Sequence, residues 1–131
     1  MEHKTILGLV ALLVHAARID EQYTQIEKIQ IIRFIESINK NDQQPDKILK
    51  EAEILETDSN QILSFTKLIK NNSLEFKTIV VKELWKIILS DNSADEFESN
   101  LMRRICGLIY FSDKLSGEIK LKNLNNKKWH I

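Results

Sequence analysis

The sequence predicts a single all-α domain that folds as a bundle of about seven helices. With 131 residues, of which 43% are apolar, the chain fits one domain and can bury a hydrophobic core. Turn-forming residues are scarce, with three glycines and one proline, whereas a chain of short strands would need many more. Apolar residues recur instead at helical spacing, as in the stripe formed by Phe97, Leu101, Ile105 and Leu108.

The helical pattern divides into segments that are separated by polar turns. We expect helices at about 4–18, 25–39, 45–56, 59–70, 74–90, 96–111 and 113–123. Pro45 is suited to the first turn of the third helix. Asp58 and Gln61 have the spacing of a capping box for the fourth helix. The segment 124–131 shows no periodic apolar pattern, and we predict a loosely ordered basic tail of the single domain there.

The first predicted helix contains a strongly apolar run from Ile6 to Val14. A helix that is apolar on all sides is normally buried, so we expect this one at the centre of the bundle. The run is too short to span a bilayer. Because it ends in Val14-His15-Ala16, it is also typical of a cleaved secretory signal, and an exported helical protein is the alternative interpretation.

A short acidic phrase occurs twice in the chain. Its copies are DEQYTQIE at residues 20–27 and DNSADEFE at residues 91–98, so that Asp20 aligns with Asp91 and Glu27 with Glu98. Each copy follows an apolar stretch and precedes a helical pattern. The repeat therefore predicts two helical hairpins related by pseudo-symmetry, each with an acidic loop.

One interpretation of the phrase is structural. Thr24 with Glu27, and Asp95 with Glu98, have the spacing of capping boxes. In such a box the first side chain accepts from a free N–H of the first turn, and the glutamate reaches back to the N–H of the cap. Each cap contributes about 1 kcal/mol. Capping explains both glutamates but leaves the two aspartates at the start of the phrase unexplained.

The second interpretation is a site for a hard divalent cation, since magnesium and calcium bind carboxylate oxygens. The candidate ligands are Asp20, Glu21 and Glu27 in one loop and Asp91, Asp95 and Glu98 in the other. The spacing is not that of an EF-hand, because Glu96 and Met102 fall where that loop needs glycine and glutamate. Both interpretations stay open at the level of residue types.

The remaining composition limits the classes of function. Nineteen basic and nineteen acidic residues cancel, which argues against generic nucleic-acid binding. The single Cys106 excludes an internal disulfide and a thiolate zinc site, and favours a cytoplasmic location. We find no glycine-rich phosphate loop and no nucleophile elbow in the sequence. Enzymatic activity therefore has no support from motifs.

Taken together, several of these residues carry a resemblance to a known family. They are Leu84-Trp85, Asp91, Glu98, Leu101-Met102-Arg103-Arg104-Ile105 and Leu108-Ile109 in the second half, and Leu12-Leu13, Ala16-Ala17-Arg18, Asp20 and Glu27 in the first. In this order they resemble the TerB-like (tellurite resistance protein B) family, over roughly residues 6–122. The resemblance is closest to small bacterial members, which are mostly uncharacterised.

The resemblance implies an all-helical bundle and acidic loop residues that hold a divalent metal, here Asp20, Glu27, Asp91 and Glu98. It also implies links to tellurite and stress resistance, often near membrane complexes. Our leading hypothesis is a cytoplasmic, non-enzymatic module that binds protein partners and a cation such as magnesium, calcium or manganese. The alternative is a metal-dependent, hydrolase-like enzyme that uses the same carboxylates.

Overall fold

A computed structural model describes residues 3–19, 23–38, 44–58, 62–91 and 96–129, and for residues 91, 96, 97 and 125–129 only the backbone. The α-helices are α1 (His3–Arg18), α2 (Gln25–Ile38), α3 (Pro45–Asp58), α4 (Leu63–Lys70), α5 (Leu74–Ile88), α6 (Glu96–Leu108) and α7 (Asp113–Trp129). A short 3-10 helix, Leu89–Asp91, extends α5. The described part of the chain contains no strand, so the prediction of an all-α bundle of seven helices is confirmed.

Helix α1 lies at the centre of the bundle, as its apolar run predicted. It packs against α2, α3, α4 and α5, and Leu9, Leu12 and Leu13 are fully buried. Gly8 permits a close approach of α4, because a Cβ at this position would lie 2.6 Å from Leu68 Cδ1. Among the described residues, no helix combines the length and the hydrophobicity that a membrane span requires.

The boundary between α3 and α4 differs from the prediction. Helix α3 continues through Asp58, and α4 begins at Leu63 with Ile62 as its N-cap. Asp58 therefore does not cap α4, and the predicted capping box was wrong; Gln61 lies outside the described residues. The apolar stripe of α4 is formed by Ile62, Phe65 and Ile69, which are all buried. Because this stripe begins only at Ile62, packing sets the start of the helix later than the polar residues suggested.

The end of α7 also differs from the prediction. The helix continues to Trp129, beyond the predicted end at residue 123. Leu124 is partly buried against the hydrophobic core, which extends the packed face by one residue past Asn123. That the segment 124–131 is only loosely held stays a prediction.

Helix α6 ends three residues earlier than predicted, at an unusual turn. Tyr110 adopts a φ of 58°, in the left-handed region where glycine is the usual residue. The N–H of Phe111 donates to the carbonyl of Cys106 (2.8 Å), and the N–H of Tyr110 donates to that of Gly107 (3.4 Å). This pair of bonds is the Schellman motif, which satisfies carbonyls at a helix end. A tyrosine at its left-handed position costs about 1–2 kcal/mol relative to glycine.

This strain predicts a difference between two substitutions that both remove the ring. Tyr110→Gly is expected to have a free energy of unfolding about 1 kcal/mol higher than Tyr110→Ala, because alanine keeps the Cβ that clashes in the left-handed region. Urea unfolding of both variants measures the difference. Equal stabilities would show that the turn stores no backbone strain.

Candidate functional site

The first acidic phrase leads into α2 through a capping box. The N–H of Thr24 donates to Glu27 Oε1 (2.8 Å), and the N–H of Glu27 donates to Thr24 Oγ1 (3.2 Å). The Thr24 hydroxyl also donates to Glu27 Oε1 (3.0 Å). These reciprocal bonds confirm the structural interpretation of this pair. The glutamate is nevertheless only 5% exposed, which capping does not require.

Glu98 occupies the same position in α6 that Glu27 occupies in α2. Each is the third residue of its helix, and Glu98 is 4% exposed. The aligned phrases therefore place two buried carboxylates in the first turns of two helices. Asp95, the predicted cap of α6, lies outside the described residues, so its capping box stays a prediction.

The other four predicted ligands contribute no side-chain geometry. Asp20, Glu21 and Asp95 lie outside the described residues. The backbone of Asp91 ends the 3-10 helix that follows α5, and its side chain lies outside the described part of the chain. Among the side chains that the structure describes, no three His, Cys, Asp or Glu converge into a group able to hold a metal ion. Glu27 and Glu98 are thus the two predicted ligands with a described environment.

Arg18 links the end of α1 to the end of α3, an arrangement that the sequence did not reveal. Its Nη1 atom donates to Glu56 Oε2 (2.7 Å) and to Thr57 Oγ1 (2.9 Å). His15, one turn earlier on α1, lies 3.4 Å from the other oxygen of the same carboxylate. Glu56 is well shielded, since its side chain is 11% exposed. These contacts join residues far apart in the chain, so no local pattern could have indicated them.

Tyr23 lies close to charged side chains from three helices. The guanidinium of Arg18 and the ammonium of Lys28 lie 5.1 Å and 4.8 Å from the centre of its ring. Its hydroxyl is buried, and among the described residues it has no partner with standard hydrogen-bond geometry. Burial, and next the nearby Glu53 carboxylate, raise the pKa of Tyr23 far above its usual value. The phenol therefore stays protonated at neutral pH and is unsuited to act as a base or nucleophile.

Beside this cluster is an open depression of about 450 Å³. It is lined by Arg18 and Lys50 and by Glu53, Thr57 and Asp58. Arg18 is already bound to Glu56, and the charges of the lining balance. The depression therefore has no excess of positive or negative charge that would select a charged ligand.

Trp85 and Cys106 belong to the core, as the sequence predicted. The Nε1 atom of Trp85 donates to the hydroxyl of the buried Ser116 (3.0 Å), which ties α5 to α7. Lys120 of α7 covers the same ring, with its Nζ atom 5.1 Å from the ring centre. Burial raises the pKa of the Cys106 thiol. A buried neutral thiol is a poor nucleophile, so this cysteine has a packing role.

The contacts of Arg18 predict a stability effect that an exposed ion pair would not show. Arg18→Ala is expected to lower the free energy of unfolding by about 1–2 kcal/mol, because it leaves the shielded Glu56 without its main partner. The matched control is Lys86→Ala, which removes an ion pair between neighbouring turns of α5. There the loss is expected to stay below about 0.5 kcal/mol. Guanidinium unfolding measures both, and equal losses would contradict the anchoring role of Arg18.

The buried phenol predicts a pH dependence. The folded state retains the proton of Tyr23 above pH 10, whereas the unfolded chain releases it at about pH 10. The unfolded state then binds fewer protons, so the free energy of unfolding falls as the pH rises through this range. Tyr23→Phe keeps the ring but removes the titrating group, and its stability is expected to fall less steeply above pH 10. Urea unfolding from pH 8 to about pH 11 measures both slopes, and equal slopes would contradict the prediction.

Comparison with known proteins assigns the chain to a family. No curated protein matches the chain, and no solved structure matches it. The sequence profile of the TerB family, described as tellurite resistance protein TerB, matches residues 7–121. This match includes both acidic phrases and all of the helices from α2 to α6. The chain therefore belongs to the TerB family.

Proposed function

We propose that this TerB-family protein is a non-enzymatic module that binds protein partners and holds a divalent cation at its acidic loops. We place it in a stress or tellurite-resistance context, and the description of the family, tellurite resistance protein TerB, supports the tellurite part. The observation that carries the cation-binding part is the matched burial of Glu27 and Glu98, at 5% and 4% exposure. Both lie in the first turn of the helix that follows an acidic phrase.

Burying a carboxylate in the first turn of a helix has a cost in free energy. Removing an ionised group from water is unfavourable unless charges or hydrogen bonds compensate it. A capping box contributes about 1 kcal/mol and works as well for a glutamate that faces water. The matched burial of the two carboxylates at equivalent positions beside the acidic phrases favours a role for both in addition to capping, and ligation of a cation is a role that carboxylate oxygens suit.

The residue types decide the class of cation. Carboxylate oxygens are the ligands that magnesium, calcium and manganese prefer, with water completing the coordination. In this proposal Asp20 and Asp91 join Glu27 and Glu98 as ligands. The absence of cysteine from both phrases disfavours a soft metal.

Calorimetric titration tests cation binding directly. Protein treated with a chelator is titrated separately with magnesium, calcium and manganese, and heat of binding is expected for at least one of them. Ligand that binds only the folded state stabilises it by about 2.7 kcal/mol at one hundred times the dissociation constant. The same cation should therefore raise the melting temperature by several degrees. No heat and no thermal stabilisation would show that the cation-binding part is wrong.

Amide substitutions separate cation binding from capping. Glutamine replaces glutamate in a capping box, but it is a poorer ligand for a hard cation. Glu27→Gln and Glu98→Gln are expected to weaken cation binding by about tenfold or more, while stability without cation changes by less than about 1 kcal/mol. The matched control is Glu75→Gln, in the first turn of α5. If it weakens binding equally, the acidic loops are not the site.

A further inference from the structure

A groove separates α4 from the end of α6, on a part of the surface that the acidic phrases do not contribute to. Its volume is about 500 Å³. Leu63, Lys67 and Lys70 line it from α4, and Gly107, Leu108 and Tyr110 from the end of α6 and the turn that follows. We call it the α4–α6 groove. It combines apolar surface with two cations, and none of the described residues that line it is acidic.

Tyr110 gives this groove an exposed aromatic edge. The residue is 71% exposed, and its backbone adopts the left-handed conformation that disfavours any residue with a Cβ. The Nζ atom of Lys70 lies 5.3 Å from the centre of the ring, which holds the side chain at the edge of the groove. The Schellman turn accounts for the backbone conformation, but packing of the core does not account for an exposed aromatic ring at this position.

The charges of the two walls are of one sign. Residues 63–70 and 101–108 contain Lys67, Lys70, Arg103 and Arg104 but no Asp or Glu, in a chain whose formal net charge is zero. Arg103 lines a different depression together with Asp113. Arg104 is exposed one helical turn before Leu108, on the same face of α6. Lys67 and Lys70 therefore give the described lining of the groove a positive charge, and Arg104 adds a further cation one turn from Leu108.

The two lysines have a simpler explanation, because cations in the last turn of α4 complement the helix dipole. That explanation does not extend to Arg104, which lies in the middle of α6, or to the strained tyrosine. Leu63 is also 49% exposed, so the groove carries accessible apolar surface beside its cations. An exposed tyrosine is a residue type enriched at protein interfaces, and the two lysines beside it provide charge complementarity for an acidic partner.

We infer that the α4–α6 groove docks a short acidic segment of a partner protein that carries an apolar anchor. The anchor fits between Leu63, Leu108 and the ring of Tyr110, and the flanking carboxylates of the segment face Lys67 and Lys70. The groove has room for a few side chains only, which suits a short segment rather than a domain. It also has too few cations for a nucleic acid, whose binding depends on many phosphate contacts. This inference rests on the partner-binding part of the proposed function and is independent of cation binding.

Selection from a displayed library of random peptides, about twelve residues long, tests the inference without knowledge of the natural partner. Enriched peptides are expected to carry Asp or Glu around a Phe, Leu, Trp or Met. Their affinity for Lys67→Glu/Lys70→Glu and for Tyr110→Gly should fall by about tenfold or more. For Tyr110→Gly this loss should occur in a variant that remains fully folded by circular dichroism. Lys50→Glu, an exposed lysine in the depression beside Arg18, is the matched control and should bind normally.

Three outcomes would overturn the inference, and they also separate it from the proposed function. Peptides whose affinity is unchanged in the groove variants would place partner binding elsewhere on the surface. Failure to enrich any acidic peptide would end the groove as a docking site, while the calorimetric titration would still decide cation binding. The third outcome is that the protein binds single-stranded DNA or vesicles of anionic lipid more strongly than any selected peptide. If the groove variants lose that binding, the groove serves a phosphate-bearing partner.

Discussion

The burial of α1 on all sides is the constraint on which the rest of the fold depends. Four other helices pack against it, so each of them must present an apolar face to α1. Its polar groups are confined to the ends, where His15 and Arg18 reach the carboxylate of Glu56. The central helix thus organises both the core and the main polar link between distant parts of the chain.

Much of this fold could be predicted because apolar spacing is a local property. The stripes Ile62-Phe65-Ile69 and Leu101-Ile105 both face the core, and the start of α3 at Pro45 follows from the chemistry of one residue. The errors lie at helix ends. Several polar residues near Asp58 are compatible with either an end or a start, and only packing decides between them. At Tyr110 the turn uses a residue that local propensity disfavours, so propensity could not indicate where α6 ends.

The candidate site was predictable in part for the same reason. The capping bonds between Thr24 and Glu27 connect neighbours in the chain, and their spacing is visible in the sequence. The burial of Glu27 and the contacts of Arg18 with α3 depend on how helices pack, and packing leaves no local pattern. The capping role of Glu27 is therefore visible in the sequence, whereas its burial follows only from the packing of the helices. The proposal of a cation at these loops rests on the burial, which the sequence did not indicate.

The position of Cys106 has a consequence for how the protein tolerates oxidants. The sulfur is inside the core and its proton is held by burial, whereas peroxides and disulfides attack thiolates that water can reach. The native fold should therefore keep the same shape and the same monomer mass in reducing and in oxidising buffers. In the folded protein this thiol is therefore expected to stay unmodified while the redox state of the surroundings changes.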